Sequence, residues 1–231
     1  MAYATIADIK PRIDKTLSDD DPVLVALLDA ASEAIDGLCN RPDGFLAITT
    51  ATARYYAGKG KPYILIDECV AITEVAVKES VTDTSYTAWD TPTTNLAGDG
   101  DWIAFRGDPV APDFNNTPYT GLMIDSNGDY AVFTTGKYTT RGGFRPLSDI
   151  PRGLPTVRVT SRWGYATTVP PQVREATVVL ASRWHARGES RWSDALASGE
   201  LGQLLYRQSI DPDVKAMLIE ARLVRPAIGT R

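Results

Sequence analysis

Cysteine, histidine and methionine are scarce here: among 231 residues there are two Cys, one His and three Met. Cys39 and Cys69 cannot make a framework of bridges, and they read as reduced, buried thiols behaving as small hydrophobes. The solitary His185 excludes a zinc site built on several imidazoles, and any Ser-His-Asp arrangement has only this residue to use. It follows Trp184 on a predicted helix, beside Arg183 and Arg187, a setting that suits a surface or interface residue better than a general base. Long apolar runs are missing as well. Nothing approaches the roughly 18 apolar residues of a membrane span. Met1 to Lys10 mixes Asp8 and Lys10 into its apolar residues and so lacks the continuous core of a secretory signal. The expectation is a protein made and kept in the cytoplasm unless a larger particle carries it elsewhere.

Motifs for chemistry also fail on inspection. Gly58-Lys59-Gly60-Lys61 lacks the spacing and the Ser or Thr of a phosphate loop, and Pro62 follows. Gly142-Gly143 is a lone turn pair, and Asn115-Asn116-Thr117 reads as an exposed loop rather than a glycosylation acceptor. Asp125, Asn127 and Asp129 alternate as in the first half of a calcium loop. Tyr130 then stands where Gly is required and Gly136 where Glu is required, so the segment reads as a hairpin turned by Asn127-Gly128. Carboxylate pairs such as Asp67-Glu68 or Asp99 with Asp101 are expected by chance in a chain with 29 acids, and only geometry promotes such a pair to an acid and base. The expectation is no catalytic residue, no metal and no cofactor.

What is present is an ordinary globular composition, 43% hydrophobic and 23% charged, long enough for one large domain or two small ones that bury roughly 70 to 75% of the unfolded surface. Net charge is -5 but uneven: residues 1–150 carry 12 Lys and Arg against 22 Asp and Glu, residues 151–231 carry 12 against 7. An acidic body with a basic final third favours head-to-tail contacts between copies or with another protein. Nucleic-acid binding is the rival reading of the basic third. Arg174, Arg183, Arg187 and Arg191 are spread around a helix, with Asp194 and Glu200 close behind, which weakens that reading.

Hydrophobic spacing predicts helices at both ends and strands between them. Thr5 caps a short first helix that Pro11 limits or kinks. Asp21-Pro22 is a clear start signal for a helix over 22–39, with Leu24, Leu27, Leu28, Ala31, Ile35 and Leu38 inward. Short runs rich in β-branched and aromatic residues then predict strands at 53–57, 63–66, 72–78, 102–105, 122–125, 130–134 and 156–162. The loops 80–100 and 107–120 carry Tyr86, Trp89, Phe114 and Tyr119. These aromatics can stack on a sugar, but anchoring the loops to their own sheet or to a neighbouring subunit is the better expectation. Val169-Pro170-Pro171 opens a third helix, with Val173, Ala176, Thr177, Leu180 and Trp184 buried and Gly188 placed as a left-handed cap. Asp211-Pro212 starts a last helix, to about 224, which Pro226 stops. The predicted fold is α+β: a helical core drawn from both chain ends, with an inserted antiparallel β-sheet or small barrel. Its parts are 1–49, 50–165, 166–205 and 206–231.

One family combines these features. Leu27-Leu28-Asp29-Ala30-Ala31-Ser32-Glu33-Ala34-Ile35-Asp36 followed by Cys39-Asn40-Arg41 resembles the N-terminal half of the head-to-tail connector, or adaptor, proteins of long-tailed double-stranded-DNA bacteriophages. Val169-Pro170-Pro171-Gln172-Val173-Arg174-Glu175-Ala176, leading to Ala181, Trp184 and Glu189, is similar to that family's third helix, and the strand from Thr156 to Tyr165 delivers the chain into it. The resemblance covers the two helical ends. It implies a structural, non-enzymatic subunit of the virion neck, assembled from host cytoplasm into a homo-oligomeric ring, commonly twelve-fold. Such a ring binds the portal on one side and a stopper or tail terminator on the other, without membrane contact, and passes double-stranded DNA through its lumen without reading sequence. On that basis residues 206–231 are expected to dock on the portal as an arm ordered on assembly, through Val214, Met217, Leu218, Ala221, Arg222 and Arg225. Arg183, Arg187, Arg191 and Trp192 are expected between subunits. The alternative is another virion tail protein, a tail completion factor or a carbohydrate-binding baseplate module using Trp89 and Tyr119.

Overall fold

The computed structural model describes residues 2–14, 21–78, 83–134, 155–189 and 211–225, with short paired strands at 139–140, 143–144, 195–197 and 204–206. Helices and an antiparallel sheet make the fold mixed α+β. The chain divides into two compact units, Met1–Phe45 with Val169–Arg231, and Leu46–Thr168.

The first unit is helical. In α1 (Ile6–Ile13) the Asp8 carboxylate reaches back to the Thr5 backbone N–H at 2.8 Å in a capping box, and Pro11 is accommodated inside the helix. In α2 (Asp21–Leu38) Leu24, Leu28, Ala31 and Ile35 are buried as the spacing predicts, but Leu27 and Leu38 are only half-buried. Ser32 is buried beside that row, its hydroxyl donating to the Leu28 carbonyl at 2.7 Å and accepting the Tyr3 N–H at 3.0 Å. A row advancing by fours, Val173, Thr177, Ala181 and His185, is buried on α3 (Pro171–Glu189). That drift corrects two expectations: Trp184 is only half-buried, and His185 faces inward instead of outward. A third correction concerns Gly188, which remains inside the helix and caps nothing.

The last helix, α4 (Pro212–Glu220), ends about four residues earlier than expected. Arg222 adopts left-handed backbone at φ 54°, and the Leu223 N–H bonds back to the Leu218 carbonyl at 3.0 Å, closing the end before Pro226 is reached. Its Asp211 cap accepts the Asp213 N–H at 2.9 Å, with Pro212 at the first position. Helix α3 packs against each of α1, α2 and α4.

The second unit is a seven-stranded antiparallel sheet. Its strands are β1 (Thr52–Tyr56), β2 (Tyr63–Val77), β3 (Thr87–Ala88), β4 (Trp102–Asp108), β5 (Ala111–Asp113), β6 (Tyr119–Ile124) and β9 (Val157–Trp163). A separate pair, β7 (Thr139–Thr140) with β8 (Gly143–Phe144), precedes β9. The order is β1-β9-β2-β6-β4-β5 with β3 beside β2. No pairing joins β1 to β5 among the described residues. In the helical unit a further pair, β10 (Ala195–Ala197) with β11 (Leu204–Tyr206), lies between α3 and α4.

Two strand expectations are corrected. The runs at 63–66 and 72–78 form one strand, β2, because register shifts after Leu65, Cys69 and Ile72 absorb the intervening residues without ending the pairing. Residues 130–134 form no strand. Their side chains are anchored instead: Phe133 is buried, and Trp89 stacks on Tyr130 at 4.3 Å between ring centroids. Asp125-Ser126-Asn127-Gly128 is accordingly a local turn closed by the Gly128 N–H on the Asp125 carbonyl at 3.1 Å, not a hairpin. Trp89, Trp102, Phe133, Leu122, Val157, Val159 and Trp163 share the sheet's core. Gly164 makes its exit possible: its φ is +136°, and a Cβ there would lie 2.4 Å from the Ala47 Cα.

Candidate functional site

Of the expected arm residues, Val214, Met217 and Leu218 lie on α4, and Ala221, Arg222 and Arg225 follow its end. Val214 and Leu218 are fully buried, with Leu223 beside them, so they belong to the chain's own core. Met217 and Ala221 are half-buried, Arg222 is exposed, and the Arg225 N–H donates to the Cys39 carbonyl at 3.0 Å. Arg183 on α3 forms an ion pair with Asp211 and lies 3.2 Å from Asp213, which ties it to the start of α4 within the same chain. Arg187 is half-buried. Arg191 and Trp192 lie outside the described residues. His185 approaches Glu189 at 3.9 Å, one helical turn away.

At the opposite end of α3, two ion pairs reach α1. The Arg174 guanidinium holds the Asp8 carboxylate, and Arg12 bonds both Glu175 oxygens, at 2.6 and 2.9 Å. The Arg174 contact, followed by the Thr5 N–H, lowers the Asp8 carboxyl to about 2. These pairs flank a groove of about 370 Å³ floored by Val169, Pro171 and Val178.

The acids of the loops are occupied by backbone. Asp125 is buried; burial works against its charge, but the N–H groups of Asn127, Gly98 and Asp99 hold it below the ordinary carboxylate range. Asp101 accepts the Asp90 N–H at 2.8 Å and the Asp129 N–H at 3.2 Å, and Asp99 accepts from Thr93 and Thr94. These are turn staples: each carboxylate accepts from backbone or hydroxyl groups of the loops around it. Asp67 is likewise engaged, by Arg54 at 2.8 Å and the Tyr56 hydroxyl at 2.9 Å. Among the described residues no three His, Cys, Asp or Glu side chains gather as a metal site.

Of the loop aromatics, Trp89 and Tyr119 anchor to the sheet core. Trp89 is 3% exposed and cannot serve as a sugar platform, and Tyr119 is half-buried against the sheet core. A cleft of about 250 Å³ lies beside Tyr119 and Ile72, under the loop 91–95.

The outer face of β9 carries a feature the sequence reading missed. Val157, Val159, Ser161 and Trp163 point inward, leaving Arg158, Thr160 and Arg162 outward. Tyr86 sits over this end of the face, its hydroxyl donating to the Pro155 carbonyl at 2.7 Å. Lys78 and Arg158 place their cations 5.0 and 5.3 Å from its ring centroid, and Tyr55 lies 5.8 Å away. The alternation in Val157-Arg158-Val159-Thr160-Ser161-Arg162-Trp163 signals half of this cluster. Tyr86 and Lys78 arrive from elsewhere in the chain and give no local signal. No protein-family model matches the chain, and no curated protein matches it.

Proposed function

We propose that the chain is a structural subunit of a bacteriophage neck, a non-enzymatic adaptor in a homo-oligomeric ring between the portal and the stopper or tail-side proteins. The observation that carries this reading is the composition of the helical unit from residues 1–45 and 169–231, the two segments whose sequences resemble the connector family, with the sheet inserted between them. An inserted domain on a helical frame suits a ring subunit, which needs two different faces to make a closed heterologous contact. The acidic first part and basic final third supply opposite fields for such faces.

The portal contact is narrower than the whole arm. Val214 and Leu218 hold α4 to its own chain, so docking falls to Ile219, which is exposed, and to Arg222. The test is incorporation. Protein-mass analysis and imaging of purified tailed particles should find the chain in the neck, and Ile219→Asp with Arg222→Glu should yield full heads without tails. Absence from the particle, or normal tail joining by the variant, overturns the reading. The isolated protein is expected to be monomeric or weakly associated, and a stable ring at nanomolar concentration in mass photometry counts against that part.

A further inference from the structure

We infer that the outer face of β1, β9 and β2 is a contact surface for the phosphate backbone of double-stranded DNA. The inference rests on the neck reading for the presence of duplex DNA, and on the face itself for everything else. Among the described residues, Lys78, Arg158 and Arg162 set three cations on this face, where the one acid paired with any of them is Glu74, 2.7 Å from Arg158. Lys78 and Arg162 meet no carboxylate among the described residues. The Lys78 ammonium rests on the Tyr86 ring, and Arg162 uses its Nε–H on the Ile48 carbonyl at 3.1 Å, leaving its terminal nitrogens outward. This local excess of positive charge stands on a chain whose net charge is -5.

Geometry favours an extended polyanion over a small ligand. Outward residues two apart on a strand are spaced by about 6.7 Å, so Arg158 and Arg162 are about 13 Å apart, near the rise of four phosphates along one DNA strand. Neither of the two clefts described above includes any of the three cations. The cations are also held before binding, Lys78 and Arg158 by the Tyr86 ring and Arg162 by its bond to Ile48, which reduces the side-chain entropy lost on contact. Tyr55, 55% exposed and paired in register with Arg158, adds a hydroxyl able to donate to a phosphate oxygen.

The composition of the face separates DNA from the next best occupant, the acidic part of a second copy. A protein interface core is apolar, aromatic and depleted of charge, whereas this face carries Lys78, Arg158, Thr160 and Arg162 along with the exposed Tyr55 and Ile48. Contacts to DNA backbone are polar, basic and sequence-independent.

The test uses the full chain and a fluorescent duplex of about 30 base pairs, titrated by anisotropy at several salt concentrations. Three phosphate contacts predict a slope of log K against log salt near -3, equal for unrelated sequences. Lys78→Ala with Arg162→Ala should bring it to about -1, while Lys215→Ala, on α4 in the helical unit, leaves it unchanged. Absent binding at low salt, or a slope the double variant does not move, overturns the inference. So does loss of self-association in the variant with DNA binding intact, because the face then belongs to a second copy. The neck reading is scored separately: a chain that enters tailed particles but ignores DNA sinks only this inference, and one that binds DNA but never enters particles sinks only the other.

Discussion

The Tyr3 hydroxyl donates to the Asp36 carboxylate at 2.5 Å and accepts the Phe45 N–H at 2.9 Å, pinning the start of the chain to the end of α2 and the residues just after it. Both groups are partly buried, and burial raises both: Tyr3 is pushed above its ordinary value by burial and then by Asp36, and Asp36 is raised by burial while the Tyr3 hydroxyl pulls it back. A carboxyl raised by folding favours the native state most at low pH, and that contribution is lost as pH climbs through its raised value. Tyr3→Phe removes the donor and leaves a buried carboxylate and an amide short of a partner. It should cost about 1–3 kcal/mol at neutral pH, with a smaller loss at pH 4. Urea unfolding at the two pH values checks this; an equal loss at both argues that Asp36 does not sense the hydroxyl.

Asp8 behaves in the opposite sense. Its carboxyl, lowered to about 2 chiefly by Arg174, contributes stability that is fully present above the ordinary carboxylate pKa and is lost as pH falls from about 4 to about 2. Arg174→Ala should return the carboxyl toward its ordinary value in an NMR titration. The expected loss of stability is small because Arg174 is largely exposed and water screens the pair.

Gly164→Ala should be among the most disruptive single substitutions. The position combines φ +136° with a Cβ contact of 2.4 Å to the Ala47 Cα and 2.8 Å to the Leu46 carbonyl oxygen, all backbone and unable to swing aside. The expected loss is about 3 kcal/mol or more in chemical denaturation, whereas Gly37→Ala, whose Cβ meets nothing within 4 Å, should be neutral or stabilising.

Neither cysteine should react while the protein is folded. Burial pushes the Cys39 and Cys69 thiols up to about 11, so the thiolate is scarce at neutral pH as well as inaccessible. Labelling with a thiol reagent at pH 7.5 should modify neither in native protein and both in denaturant. Rapid native labelling of Cys69 would mean that β2 opens next to its bulges.

Local periodicity made the four helices legible. Asp-Pro starts for α2 and α4, Pro-Pro for α3, and apolar residues at three-and-four spacing specify these helices through contacts a few residues apart, and the strict alternation of β9 specifies its two faces. Three features were misread, and the second of them depended on distant partners. Gly188 continues a helix because its neighbours are helical, whatever its own preference for a cap. Residues 130–134 have a strand-like composition, but they spend their aromatics on Trp89 and on the sheet core instead of pairing in the main sheet. His185 turns inward because the buried row on α3 drifts by fours along its length.

By itself the sequence determined the scarcity of chemistry-bearing residues, the helical ends and the alternating strands, since each follows from composition or from neighbours within one turn or pleat. Tertiary structure alone decided which strands lie side by side, that Trp89 fills a core rather than facing solvent, and that Lys78, Tyr86 and Arg158 share one face. Those outcomes depend on groups far apart in the chain, from Tyr86 on Pro155 to Glu74 on Arg158, and no spacing in the sequence encodes such a meeting.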